Sequence, residues 1–237
     1  MTYKEWQESK FIVTDTAFMS KFSAQYGKTS VLKLTQSTIN VKSVSNSQFK
    51  LYAESKASSE ERAVIFAENQ LRKAKAYLPD DFIIPKVVVI DFAKVWPGVK
   101  AIGAYNKDLD TVFINSKYDT EAKVMKFLAV DTDGRGDTVY ANMTSLAPYL
   151  HELGHAYYNQ RIKKLVEEEN RSYTKIKNEI DNAIGTIISE KIKRNDDFLK
   201  QKISVYAWIG YKNHKYGEII AECFSIRLSK KGLCICC

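Results

Sequence analysis

The pentad His151-Glu152-Leu153-Gly154-His155 brings together the residue types that hold and use a metal ion. Apolar residues recur at helical spacing through residues 145–164, so the pentad is predicted to lie on a helix. Residues four apart share one face of a helix, and both imidazoles can therefore reach the same Zn²⁺. Glu152 would lie beside the ion, where its carboxylate can accept a proton from a water that the ion activates. The pentad thus predicts zinc-dependent hydrolysis.

Two further features favour a metal site over an amphipathic helix with two ordinary histidines. The chain has only 3 histidines, and two of them fall within the pentad. Glycine in the interior of a helix costs about 1 kcal/mol relative to alanine, so Gly154 needs a physical reason. We expect a neighbouring backbone or a substrate to approach the helix closely at that position.

A catalytic zinc ion needs a third protein ligand and one open position. His214 is the remaining histidine, but it lies far downstream of the pentad. Glu218 and Glu222 are better candidates, because they share one otherwise apolar face of a predicted helix. Burial of two unpaired carboxylates is unfavourable, and a nearby cation removes that penalty. We expect Glu218 to be a ligand and Glu222 to support a ligand histidine, with a surface glutamate pair as the alternative.

The pentad and the downstream pattern Glu218-x-x-Ala221-Glu222 together resemble the gluzincin branch of the zincin metallopeptidases. Within that branch, residues from about 100 to 229 are similar to the catalytic domain of anthrax lethal factor and to related zincins encoded by bacteria and phages. The resemblance implies one Zn²⁺ with three protein ligands, namely His151, His155 and Glu218.

The same resemblance implies roles for residues around the ligands. Glu152 would be the general base, and Glu222 would support the ligand shell. A tyrosine shortly before the glutamate helix would donate a hydrogen bond to the oxyanion. Tyr211 has the expected spacing from Glu218, whereas Tyr206 has the expected local sequence. Both are therefore candidates, and an ordinary half-buried tyrosine is the alternative for each.

The resemblance also implies an α+β, zincin-like fold. Such a fold has a small, mostly antiparallel sheet, an active-site helix and a C-terminal helical part, which here would carry Glu218. The segment Thr111–Asn115 resembles the edge strand of this fold, which pairs with an extended peptide substrate. We expect an N-terminal extension of unassigned role at residues 1–56 and the zincin-like domain at residues 57–237.

Hydrophobic periodicity predicts the elements that position these residues. Alternating or β-branched runs predict strands at 31–35, 38–44, 86–92, 101–105 and 111–115. Capping signals and apolar stripes predict helices at 58–78, 120–130, 145–164, 173–202 and 215–229.

Composition narrows the class of protein. The 237 residues, of which 45% are hydrophobic and 27% charged, are typical of a soluble globular protein. No apolar run approaches the roughly 18–20 residues of a membrane span, and the first residues lack the apolar region of a secretory signal. We expect no membrane partner. The expected location is the cytoplasm of the producing cell, or a virion, or a target reached by a non-classical route.

Charge and cysteine content add two expectations. The net charge of +8 suits a polyanionic partner, but the lysines are spread along the chain without a nucleic-acid motif, so we expect a solvated basic surface instead. The 4 cysteines form no evenly spaced disulfide framework, which favours a reducing compartment. Three of them, Cys234, Cys236 and Cys237, lie within the last four positions. This cluster is a candidate metal or lipid site, and a tail without function is the alternative.

These observations predict a zinc-dependent endopeptidase that acts on a peptide or protein substrate. One alternative is a catalytically inactive, zinc-bound scaffold such as a phage structural or interaction protein. Retention of Glu152 argues against it, because an inactive site has no need of a base. The other alternative is a basic nucleic-acid-associated protein in which the pentad is incidental, and salt-dependent DNA binding without zinc would support it.

Overall fold

The structure is a computed structural model that describes residues 11–12, 40–43, 51–54, 58–96, 98–130, 140–141, 143–195 and 197–226. The described residues form two compact units. The first unit contains the described residues up to Arg72 together with Ile84–Glu121, and the second contains Lys73–Ile83 and the described residues from Ala122 onwards. The fold is mixed α/β and mostly helical, with a small sheet, which confirms the α+β class at this level.

The strands and helices are numbered here along the described chain. The strands are β1 (Phe11–Ile12), β2 (Asn40–Ser43), β3 (Leu51–Glu54), β4 (Lys86–Ile90), β5 (Gly103–Asn106) and β6 (Thr111–Asn115). The helices are α1 (Ser58–Lys75), α2 (Phe92–Val95), α3 (Glu121–Val130), α4 (Ala147–Glu169), α5 (Tyr173–Ile192), α6 (Phe198–Lys202), α7 (Val205–Lys212) and α8 (Tyr216–Ile226).

The sheet lies in the first unit, and its strands follow the order β1-β2-β3-β4-β6-β5. The pairings of β1 with β2, β2 with β3 and β5 with β6 are antiparallel. The two central pairings, β3 with β4 and β4 with β6, are parallel. The predicted sheet is therefore present among the described residues, but it is mixed, with parallel strands at its centre.

Strand β6 is not the edge strand that the resemblance implied. It lies between β4 and β5, and all five of its residues are buried. A strand that is covered on both faces reads as a continuous apolar run, which here is limited to Val112–Ile114 between the buried polar residues Thr111 and Asn115. At this side of the described sheet the edge strand is β5, so the expected pairing of a substrate with β6 is wrong.

Strands β5 and β6 form an antiparallel hairpin, and the residues of its turn explain it. Asn106 Oδ1 accepts hydrogen bonds from the backbone N–H groups of Asp108 and Leu109, at 2.9 and 3.1 Å. Asp110 has a φ of 47°, a left-handed conformation that Asp tolerates better than most residues. A polar side chain that bonds its own backbone is how such a turn is closed.

The second unit holds the helices that carry the pentad and the two glutamates. Helix α4 begins with Pro148 in its first turn, where a missing N–H is harmless, and ends at Asn170 in a left-handed conformation. The apolar stripe of the predicted helix has an isoleucine at every fourth position from Ile176 to Ile192, widened by Ile187. Helix α5 buries Ile176 and Ile188 of this stripe, but Ile187 is exposed. The stripe packs into two clusters, one with residues of α4 and one with residues of α6, α7 and α8.

The helix predicted at 173–202 is interrupted. It ends at Ile192 as α5, and a separate helix, α6, begins at Phe198. Between them, Asn195 Oδ1 accepts a hydrogen bond of 3.0 Å from the backbone N–H of Asp197. This side-chain bond competes with the helical hydrogen bonds and turns the chain. The apolar stripe could not indicate the break, because Leu199 and Ile203 are buried in the same cluster as Ile188.

Three further expectations concern membrane-spanning helices, segments outside the described residues and the domain boundary. Among the described residues, no helix is both long enough and apolar enough to cross a membrane. The strand predicted at 31–35 and the C-terminal cysteines lie outside the described residues. The domain boundary after residue 56 stays a prediction.

Candidate metal centre

Close packing of α4 against α8 brings the pentad to the glutamates. A Cβ atom built on Gly154 would lie 2.7 Å from the Cα of Ala221 and 3.0 Å from the Cβ of Phe224. Distances this short leave no room for any side chain at position 154. The close approach that the sequence predicted at Gly154 is therefore made by the backbone of α8.

Gly210, on α7, also helps to determine the position of Glu218. A Cβ atom on Gly210 would lie 2.8 Å from the Cβ of Glu218 and 3.1 Å from the carbonyl oxygen of Lys215. The absence of a side chain at position 210 lets the start of α8 lie directly against α7. Two glycines on different helices thus make room for the helix that carries Glu218 and Glu222.

Three side-chain atoms converge at the centre of this packing. His151 Nε2 and His155 Nε2 are 3.1 Å apart, and each lies 3.3 Å from Glu218 Oε2. These residues form a group that could hold a metal ion. In a tetrahedral zinc site with ligand distances of about 2.0–2.1 Å, neighbouring ligand atoms lie about 3.3–3.4 Å apart. The triangle of donor atoms therefore has the dimensions that Zn²⁺ requires.

The environment of Glu218 also fits a cation. Its Oε2 atom is buried and accepts no hydrogen bond from the residues that the structure describes. Burial alone would raise the pKa of the Glu218 carboxyl, but the facing imidazoles of His151 and His155 outweigh burial and hold that pKa well below its usual value. The carboxylate is thus kept ionised, with a buried lone pair directed at the two histidines.

Glu222 orients the first histidine. Its side chain is 1% exposed, and its Oε1 atom lies 2.7 Å from His151 Nδ1. Because an ionised carboxylate only accepts hydrogen bonds, Nδ1 carries the proton and donates it to Glu222. In the neutral imidazole the lone pair of His151 is then on Nε2, the atom that faces Glu218. This is the carboxylate–histidine arrangement that holds metal-binding imidazoles in place.

The carboxylates also set the charge state of His151. Burial by itself lowers the pKa of the imidazole, but contacts with Glu218 and Glu222 and the nearby charge of Glu152 raise the pKa well above its usual value. Without a cation the carboxylates therefore favour the protonated imidazole, and a divalent cation bound by Nε2 would take the place of that second proton.

Glu152 is buried near His151 and is outside the donor triangle. Its side chain is buried at 8% exposure, and its charge acts on His151. The group that could hold a metal contains the two histidines and Glu218 but not Glu152. Glu152 is therefore not a member of this group, and its role as the base stays a prediction.

The two candidate tyrosines occupy different surroundings. The ring of Tyr206 lies against His151, with 5.6 Å between ring centroids. The ring of Tyr211 lies against Tyr216, at 6.3 Å, within the hydrophobic cluster around Ile188. The structure thus brings Tyr206, and not Tyr211, to the pentad.

His214 is not part of the donor group. It is exposed, it has a left-handed backbone with φ of 54°, and its Nδ1 atom lies 3.3 Å from the hydroxyl of Tyr216. The alternative in which His214 is the third ligand therefore has no support in the described residues.

Sequence reasoning missed two sets of contacts at this site. Tyr140 packs against Tyr206, with 5.8 Å between ring centroids, and the backbone N–H of Ala141 donates to Glu222 Oε2 at 2.7 Å. No pattern of residue types indicates which backbone N–H will donate, so the sequence could not indicate the contact of Ala141 with Glu222. Tyr140 and Tyr206 are far apart in the sequence, and neither residue alone indicates the other as its partner.

The other missed contacts hold α4 against α5, one turn beyond His155. The hydroxyl of Tyr158 donates to Asp181, and Lys177 pairs with the same carboxylate. Burial and the charge of Asp181 raise the pKa of Tyr158, so its hydroxyl keeps its proton. A position three residues after a ligand lies on the same helix face, and that spacing could have indicated Tyr158.

Replacement of Gly154 by alanine should separate α4 from α8. The added Cβ cannot fit 2.7 Å from the backbone of Ala221, and overpacking of this kind costs about 1–3 kcal/mol. We expect a lower melting temperature of the zinc-free protein and weaker zinc binding, measured by thermal unfolding and by competition with a chelator. Gly217→Ala is the matched control, because its Cβ would lie 3.6 Å from Tyr158, an ordinary contact. Equal behaviour of the two variants would contradict the close packing of α4 and α8.

No protein-family model, curated protein or solved structure matches the chain. The function of the site is therefore inferred from its own geometry and chemistry.

Proposed function

We propose that the chain is a zinc-dependent endopeptidase of the zincin-like, gluzincin type. The observation that carries this proposal is the triangle formed by His151 Nε2, His155 Nε2 and Glu218 Oε2, with sides of 3.1, 3.3 and 3.3 Å. Its donor set, two imidazoles and one carboxylate, is that of catalytic zinc sites with three protein ligands.

Zinc bound by His151, His155 and Glu218 would polarise a scissile carbonyl and lower the pKa of a water towards about 7. The chain's own residues have three tasks around that chemistry. Glu222 holds His151 with its Nε2 lone pair towards the other donors. Glu152 accepts the proton of the attacking water and passes it to the leaving amine. Tyr206 donates a hydrogen bond to the oxyanion.

A buried position suits Glu152 for this work. At 8% exposure the residue is largely removed from bulk water, which favours transfer of an accepted proton to the leaving group over its loss to solvent. Its negative charge also contributes to the raised pKa of His151. A scaffold that only held zinc would gain nothing from a second buried carboxylate outside the ligand set.

Replacement of Tyr206 by phenylalanine should lower kcat with no change in zinc affinity. The variant keeps the ring that packs on His151 and removes only the hydroxyl, and loss of one oxyanion donor costs about 10²–10³ in kcat. Tyr211→Phe is the matched control and should behave like the unaltered protein, since Tyr211 packs on Tyr216. Peptide hydrolysis kinetics measure both. A loss of kcat in Tyr211→Phe and not in Tyr206→Phe would reverse this assignment.

A peptide-library digest tests the proposed function directly. The zinc-loaded protein should cleave a subset of the peptides, a chelator should abolish cleavage, and added zinc should restore it. A fully zinc-loaded protein that cleaves no peptide or protein substrate would support the inactive scaffold. Salt-dependent DNA binding by a protein that takes up no zinc would support the nucleic-acid class instead.

A further inference from the structure

Glu222 receives one hydrogen-bond donor on each of its carboxylate oxygens. Its Oε1 atom faces His151 Nδ1, and its Oε2 atom accepts the backbone N–H of Ala141, each at 2.7 Å. The side chain is 1% exposed, so water does not take the place of either donor. These two contacts satisfy the charge of a carboxylate that would otherwise be buried at a large penalty.

The two donors differ in a way that matters for the metal site. An imidazole nitrogen donates or accepts according to the tautomer, whereas a backbone N–H can only donate. The Ala141 N–H therefore always takes an oxygen of the group at position 222. Because both oxygens of a carboxylate accept, the other oxygen of Glu222 is left to accept from His151 Nδ1. With a carboxylate at 222, the proton is on Nδ1 and the lone pair is on Nε2, facing Glu218.

We propose that the backbone N–H of Ala141 is a positioning group: it holds one oxygen of Glu222 and so keeps the other oxygen on His151 Nδ1. The proposal rests on the proposed zinc site, and it adds a residue that touches neither a ligand nor the ion. It also predicts that an amide of the same shape at position 222 would present the wrong group to His151, because the Ala141 N–H would take the amide oxygen.

Glu222→Gln makes the consequence testable. The Ala141 N–H would claim the oxygen of the new amide and leave its NH₂ group facing His151 Nδ1. Nδ1 would then have to accept, and the proton would move to Nε2, the atom required for the metal. We expect zinc affinity to fall by about 100-fold, the upper end of the range for residues that support a ligand.

An ester bond between Tyr140 and Ala141, introduced with lactic acid at position 141, removes the donor without altering the side chain. In the unaltered background, this change should weaken zinc binding by about tenfold, because Glu222 loses one of its two donors. In the Glu222→Gln background it should have the opposite sign. The amide can now turn its NH₂ group to the ester oxygen and accept from His151 Nδ1, so affinity should recover by about tenfold.

The experiment measures zinc affinity by chelator competition in the unaltered protein, both single variants and the combined variant. Ala141→Gly, which keeps the N–H, is the matched control and should bind zinc normally. The ¹⁵N shifts of His151 in the zinc-free protein, at a pH where the imidazole is neutral, should report a proton on Nδ1 in the unaltered protein and on Nε2 in Glu222→Gln.

The reversal of sign separates a tautomer effect from general damage. If the ester weakens zinc binding in both backgrounds, or in neither, the proposed role of the Ala141 N–H is wrong. If the unaltered protein binds no zinc, the proposed function is wrong, whatever the role of the Ala141 N–H. The ¹⁵N shifts still test the tautomer in that case, and a proton on Nε2 in the unaltered protein would overturn the proposal.

Discussion

Glu152→Gln should retain one zinc ion per chain and lose about 10²–10⁴ in kcat. The amide has nearly the same size and shape as the carboxylate, which matters at a side chain that is only 8% exposed. It cannot accept a proton, however, and general-base catalysis by a positioned side chain contributes a factor of this size. Zinc binding should survive because Glu152 lies outside the group of donor atoms.

Metal analysis and peptide hydrolysis kinetics on the same preparation measure both parts of this expectation. Glu190→Gln is a suitable control, since Glu190 is an exposed glutamate on α5 and should tolerate the change. Full activity in Glu152→Gln would remove Glu152 as the base. Loss of zinc from that variant would instead show that Glu152 takes part in holding the ion.

Glu218→Ala should weaken zinc binding by more than about 100-fold, beyond the range observed for residues that only support a ligand. The substitution removes the one carboxylate oxygen that lies 3.3 Å from both histidine Nε2 atoms. Activity should be lost with the metal, because two imidazoles alone form an incomplete catalytic site. The measurement is zinc affinity by chelator competition, with zinc content after dialysis as an independent check.

Two control variants show whether the loss of zinc binding is specific to Glu218. Glu190→Ala removes an exposed carboxylate from α5 and should leave zinc affinity unchanged. His214→Ala should be equally silent, because His214 is exposed and contacts Tyr216. Unchanged zinc content in Glu218→Ala would move the third ligand elsewhere, and a loss of zinc in His214→Ala would identify its place.

The parts of the site that follow local rules were predictable from the sequence. Helical spacing alone put His151 and His155 on one face, and the same spacing paired Glu218 with Glu222 on another helix. The penalty for glycine inside a helix indicated a close approach at Gly154, and the backbone of α8 supplies it. These features depend on residues within one or two turns of each other.

The parts that depend on long-range pairing were not predictable in the same way. A strand with an apolar centre such as β6 can be central or peripheral, and only its pairing with both β4 and β5 decides this. Tyr206 and Tyr211 differ in the sequence by spacing and context, which favoured different candidates. Their surroundings differ because α7 turns one ring towards His151 and the other towards Tyr216.

Short helices and backbone hydrogen-bond donors were also not predictable from the sequence. Helix α7 has eight residues, too few for a clear apolar period, and it begins where Ser204 accepts a hydrogen bond of 2.9 Å from the N–H of Ala207. The contact of Ala141 with Glu222 uses a group that every residue except proline carries. Neither feature leaves a distinctive residue type in the sequence.

Anomalous diffraction at the zinc absorption edge, from crystals grown with zinc, is the most direct test of the metal site. We predict one strong peak per chain, within about 2.0–2.1 Å of His151 Nε2, His155 Nε2 and a carboxylate oxygen of Glu218. A peak at other residues, or two imidazole rings turned away from each other with no peak between them, would contradict the zinc site and the peptidase activity inferred from it.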